Sequence, residues 1–97
     1  MSEGTRGKRF AGRAVIVTGA ASGIGESTAI MFAGEGASVA VVDIDVKNGK
    51  RVTKQIINAG GKAIFVQADV GKSAQVQRMI ERTADKFGRL DVIHNNA

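Results

Sequence analysis

Four short runs rich in β-branched and aliphatic residues constrain this chain more than any other feature. They are Ala14 to Thr18, Ser38 to Asp43, Ala63 to Gln67 and Leu90 to His94. Their starts recur roughly every 25 residues, the length of a strand, a crossover helix and short loops. Val39-Ala40-Val41-Val42 is continuously apolar rather than alternating, so both faces of such a strand must be covered. The segments between the runs read as helices. From about Gly23 to Glu35, Ile24, Thr28, Met31 and Phe32 fall at helical spacing, and from about Val46 to Ala59 the buried face is Val52, Ile56 and Ile57. The third helix begins near Ser73, a candidate N-cap, and stacks Val76, Met79, Ile80, Ala84 and Phe87. Gly36, Gly60 and Gly88 follow the helices, where a left-handed residue is needed.

Right-handed crossovers turn this order into an α/β, doubly wound parallel sheet with strand order 3-2-1-4 and three helices. The first two helices belong on one face and the third on the other. The predicted organisation is a basic leader over residues 1–12 and a single α/β unit over 13–97. The net charge is +5, and Arg6, Lys8, Arg9 and Arg13 stand against only Glu3 near the start. The leader has no series of aromatic residues between its charges, as a nucleic-acid stacking surface would require, so it reads as a solvated segment. With no cysteine, a disulfide framework, a thiolate nucleophile and a cysteine zinc site are excluded. No apolar run approaches the roughly 20 residues that cross a bilayer. These features predict a cytoplasmic protein with neither nucleic-acid nor membrane partners.

The chemistry concentrates at Thr18-Gly19-Ala20-Ala21-Ser22-Gly23-Ile24-Gly25, between the first strand and the first helix. Gly19 allows a tight turn, Gly23 lets backbone approach a pyrophosphate, and Gly25 lets the helix pack closely. The free amides of the helix start then face an anion with the dipole in its favour. Asp43 ends the second strand about 20 residues after the glycines, where a carboxylate accepts hydrogen bonds from an adenosine ribose. A 2′-phosphate there would meet like charge, costing on the order of 4 kcal/mol at about 4 Å and an effective dielectric near 20. Asp45 adds to the repulsion, and neither Ser22 nor Ile44 supplies a compensating cation. The expected cofactor is NAD. Gly19, Asp43, Asp69 and Asn95 each follow a different parallel strand, so they must converge on the carboxyl rim, where open α/β sheets bind ligands.

The glycine spacing, with Asp69-Val70 and Asn95-Asn96-Ala97, resembles the classical short-chain dehydrogenase/reductase family, a Rossmann-type fold. The resemblance runs from about Arg13 to the last residue and implies an N-terminal portion of the family's chain, its sheet truncated. It implies a cofactor set of Gly19, Ser22, Gly23, Ile24, Gly25, Asp43, Ile44, Asp69, Val70, Asn95 and Asn96. Asp69 and Val70 would flank the adenine, and Asn95 and Asn96 would begin the motif that braces the sheet and touches the cofactor. The implied activity is hydride transfer between NAD(H) and an alcohol or ketone, in a protein that is homo-oligomeric when complete. Family members use a Tyr-x-x-x-Lys pair, and this chain contains no tyrosine, so by itself it is expected to be inactive. A non-catalytic dinucleotide-binding module is the alternative. His94, the only histidine, stands where the family carries an aliphatic residue and reads as a packed strand-end residue.

Overall fold

A run of five consecutive apolar or β-branched residues can be buried throughout only if layers cover both of its sides, and β1 (Ala14–Thr18) meets that condition at every position. The computed structural model describes residues 9–96; Ala97 and most of the basic leader, residues 1–8, lie outside the described residues. After β1 come α1 (Gly23–Gly34), β2 (Ser38–Asp43), α2 (Val46–Asn58), β3 (Lys62–Gln67), α3 (Ser73–Phe87) and β4 (Val92–His94). The strands form one sheet in the order β3-β2-β1-β4. All pairings are parallel, with Ala14 opposite Ser38, Ser38 opposite Lys62 and Val15 opposite Val92. This is the doubly wound order that right-handed crossovers require.

Strand alternation divides the core in two. Val15, Val17, Val39 and Val41 face α1 and α2, meeting Ala29, Phe32, Ala33, Val52 and Ile56. Ile16, Ala40, Val42 and Val66 face α3, meeting Met79, with Val76, Ile80 and Phe87 at the margin. Each such aliphatic side chain contributes about 1.5–3 kcal/mol through burial, so the strands carry much of the stability.

The helix faces differ in part from the predicted ones. In α1 the buried residues are Gly25, Ala29, Phe32 and Ala33, while Ile24 and Met31 are 74% and 48% exposed. Small residues let α1 lie close to the sheet, and bulkier ones on that face would hold it off. In α2, Gly49, Val52, Thr53 and Ile56 are buried, and Ile57, one position round the helix, is exposed. Ser73 is not the cap of α3; it is the first helical residue, and the extended Lys72 precedes it. The fourth strand starts at Val92 rather than Leu90, and just before it the Asp91 carboxylate accepts the Ala14 N–H at 2.8 Å. Gly36, Gly60 and Gly88 do leave the helices at positive φ. The leader holds one aromatic residue, Phe10, whose ring meets Phe32 edge-on at 5.0 Å; Arg9 pairs with Glu35 at 3.3 Å. Residues 9–12 are thus tied to α1. No helix among the described residues is long and apolar enough to cross a membrane.

Candidate functional site

The turn after β1 is built by what its glycines lack. Gly19 and Gly23 take φ of 63° and 60°, a region that strains any residue with a Cβ. A Cβ on Gly25 would overlap the carbonyl oxygen of Gly19 and stand 2.9 Å from Asn96 Nδ2. The first turn of α1 therefore rests directly on the glycine turn and on Asn96. A Cβ on Gly23 would meet nothing within 4 Å, so the space in front of the turn is open. Ser22 is the N-cap of α1, yet its side chain makes no capping hydrogen bond. At α2 the opposite holds: Asp45 accepts from the Asn48 backbone N–H at 3.1 Å and from Nδ2 at 2.8 Å. These bonds hold the Asp45 carboxyl below its ordinary range.

Asp43 joins the turn to the end of β2. Its Oδ2 accepts the Ala21 N–H and its Oδ1 the Asp45 N–H, both at 3.0 Å. A carboxylate offers about four acceptor positions, so two neutral donors leave capacity for a ligand hydroxyl. Asp69, past β3, accepts the Gly71 N–H at 2.9 Å, and its own N–H donates to Gln75 Oε1 at 2.7 Å. Past β4, Asn95 Oδ1 accepts from Thr18 Oγ1 at 2.8 Å, and the Asn96 N–H donates to the same hydroxyl at 3.0 Å. Thr18 thereby joins the β1 and β4 ends. A cleft of about 180 Å³ lies among Gly19, Val42, Asp43, Ile44, Ala68, Asp69 and Val70. Five of the predicted site residues meet at this cleft. Ser22, Gly23, Ile24 and Gly25 belong to the adjoining turn and helix start, and Asn95 and Asn96 brace the turn from the β4 side. Ile24 and Ile44 are 74% and 64% exposed, two large apolar side chains left facing solvent on the rim.

Sequence reasoning missed three participants. Thr18 reads as an ordinary strand end, Gln75 as a surface helix residue, and Arg51 as one of many basic residues on α2. Neither Ser22 nor Ile44 supplies a cation, as expected, but Arg51 brings one to the turn from α2. Its Nη2 donates to the Ala21 carbonyl oxygen at 3.4 Å and to Glu26 Oε1 at 3.0 Å. Its Nη1 lies 3.3 Å from Glu26 Oε2, and Glu26 raises the guanidinium pKa above its usual value. The side chain reaches the turn across the helix pair, which linear spacing does not reveal. His94 packs as expected for a strand-end residue, its ring 6.3 Å from that of Phe32. Among the described residues no cluster of three or more histidine, aspartate or glutamate side chains could hold a metal.

Comparison with known proteins agrees with this fold. The family model described as short chain dehydrogenase matches residues 13–97. A Thermotoga maritima protein described as an uncharacterized oxidoreductase is 46% identical over 91% of this chain and 34% of its own length. A hydroxysteroid dehydrogenase from Escherichia coli superposes with a TM-score of 0.91 at 34% identity, covering 96% of this chain and 40% of that one. A 7α-hydroxysteroid dehydrogenase solved with NADH and 7-oxo glycochenodeoxycholic acid gives 0.87 at 32% identity, over 96% and 36%. The chain spans about a third of the length of the curated relatives it matches. A family match from Arg13 onward, on a sheet of this order, leads to one assignment: the chain belongs to the short chain dehydrogenase family.

Proposed function

We propose that this chain forms the adenosine- and pyrophosphate-binding part of an NAD(H)-dependent oxidoreductase acting on an alcohol or carbonyl compound. The observation that carries the reading is the cleft that Gly19, Asp43, Ile44, Asp69 and Val70 share at the carboxyl rim. The site fits a dinucleotide. The helix start is uncapped by its own side chain, and the space before Gly23 is open. Asp43 has no ion-pair partner among the described residues. In this reading the turn amides hold the pyrophosphate, Asp43 accepts from the ribose hydroxyls, and Asp69 and Val70 bound the adenine. Asn95 and Asn96 keep the turn in place through Thr18. When bound, NAD(H) supplies or accepts the hydride. The relative solved with NADH supports this cofactor class, and the Asp43 carboxylate favours NAD over its 2′-phosphorylated form. The complete protein would be a homo-oligomer acting on small molecules, and this chain alone, having no tyrosine, would not turn over substrate. Calorimetric titration with NAD and NADP tests the assignment. Asp43→Ala with Ile44→Arg should move the ratio of the two affinities toward NADP by about tenfold or more. An unchanged ratio would remove Asp43 from the ribose site.

A further inference from the structure

Arg51 and Asp43 hold the same residue of the glycine turn from two sides. The Asp43 carboxylate accepts the Ala21 N–H at 3.0 Å, and the Arg51 guanidinium donates to the Ala21 carbonyl oxygen at 3.4 Å. Among the described residues no other cation hydrogen-bonds this turn. It is a cation beside a carboxylate that we read as facing the adenosine ribose, a position that would attract a 2′-phosphate if its charge were free. Its charge is not free. Both of its terminal nitrogens are engaged by the two oxygens of Glu26, in the first turn of α1, at 3.0 and 3.3 Å. The arrangement is two-pronged, the geometry that makes guanidinium–carboxylate pairs specific.

We infer that Glu26 is a specificity-determining residue: by occupying Arg51 it denies the glycine turn a free cation and so disfavours a cofactor bearing a 2′-phosphate. The inference rests on the placement of the adenosine ribose at Asp43. It adds a second determinant that acts through Arg51 rather than by repulsion from the rim alone. The Arg51 side chain is 49% exposed, and its flexible stem lets the head reorient once Glu26 no longer competes. Glu26 is therefore a positioning residue for the cation and need not touch the cofactor.

The test is calorimetric titration of the protein carrying this chain with NAD and NADP, with no turnover required. Glu26→Gln should lower the NADP dissociation constant roughly fivefold to tenfold, as expected for one added charge-assisted contact at a half-exposed site, and leave that for NAD within about twofold. The NADP gain should shrink in high salt, where exposed charges are screened. Glu26→Gln combined with Arg51→Leu should return NADP affinity to the starting value. A pair that only tethers the helices predicts equal weakening for both cofactors, and that result would overturn the inference. So would unchanged NADP binding in Glu26→Gln with NAD binding intact. If the unaltered protein binds neither cofactor, the reading of the rim itself fails, and the inference fails with it.

Discussion

The two ends of the sheet carry aspartates in opposite circumstances. At the amino end, Asp91 is held by Arg89 through contacts of 2.7 and 2.8 Å, with Arg13 at 3.8 Å and the Ala14 N–H at 2.8 Å. Arg89 first, and then the Ala14 amide, hold its carboxyl below the ordinary range, and Asp91 in turn raises the Arg89 guanidinium. At the carboxyl end, Asp43 and Asp69 accept only from backbone amides among the described residues. A carboxylate matched with cations serves to fasten β1 to the start of β4. One held in place by neutral amides keeps its charge uncompensated and its remaining lone pairs available. The same side chain thus closes one rim and leaves unused acceptor capacity on the other.

The largest expected effect breaks the carboxyl rim outright. Gly25→Val would drive side-chain atoms into the Gly19 carbonyl, which is backbone and cannot swing aside. Its stability should fall by about 3 kcal/mol or more, at or beyond the upper range for overpacking, read from urea unfolding. Survival of full stability would mean that α1 does not rest on the turn. Gly23→Val should separate fold from function. The added group meets open space, so the fold pays only the positive-φ strain of about 1–2 kcal/mol. NAD binding by calorimetry should nevertheless be lost, because the branched side chain fills the space in front of the turn. Retained affinity in a folded variant would place the phosphates elsewhere.

The smallest effect belongs to the amino rim. Asp91→Asn should lower the melting temperature slightly at neutral pH and leave NAD affinity unchanged. Because the folded Asp91 carboxyl titrates below its usual value of 3.8, its contribution is fully present above that value. It is lost as the pH falls through the lower, folded value. The variant and the parent should therefore converge in stability as the pH falls through that lowered value, which acid unfolding followed by circular dichroism would show. A loss of NAD binding in Asp91→Asn would mean that the two rims are coupled, contrary to the contrast drawn between them.

The carboxyl-rim half of this contrast was legible in one dimension; the amino rim was not. The apolar runs predicted β1 and β2 to the residue, and the chain order with right-handed crossovers placed Gly19, Asp43, Asp69 and Asn95 on one rim. The identity of the buried helix faces was less legible. Ile24, Met31 and Ile57 match a helical period, yet the structure turns them to solvent. Hydrophobicity marks a candidate face, but close approach to a sheet selects small residues, and α1 packs through Gly25, Ala29 and Ala33. Gly49 shows the same limit. It is a glycine inside a helix, costly by propensity, and its reason is the Phe65 ring from β3, which occupies the place of a Cβ.

The sequence by itself determined the parallel order, the glycine turn and the convergence of the rim residues. These follow from continuously apolar strand runs, crossover handedness and the backbone freedom of glycine, each of which acts over a few neighbouring residues or on chain order alone. Only the tertiary structure decided which partners those residues take. Thr18 bridges Asn95 and Asn96, Asp43 holds Ala21, and Arg51 pairs with Glu26 across two helices. Such contacts depend on side-chain direction and on distances of a few ångströms between segments far apart in the chain, and those exist only once the helices have settled on the sheet.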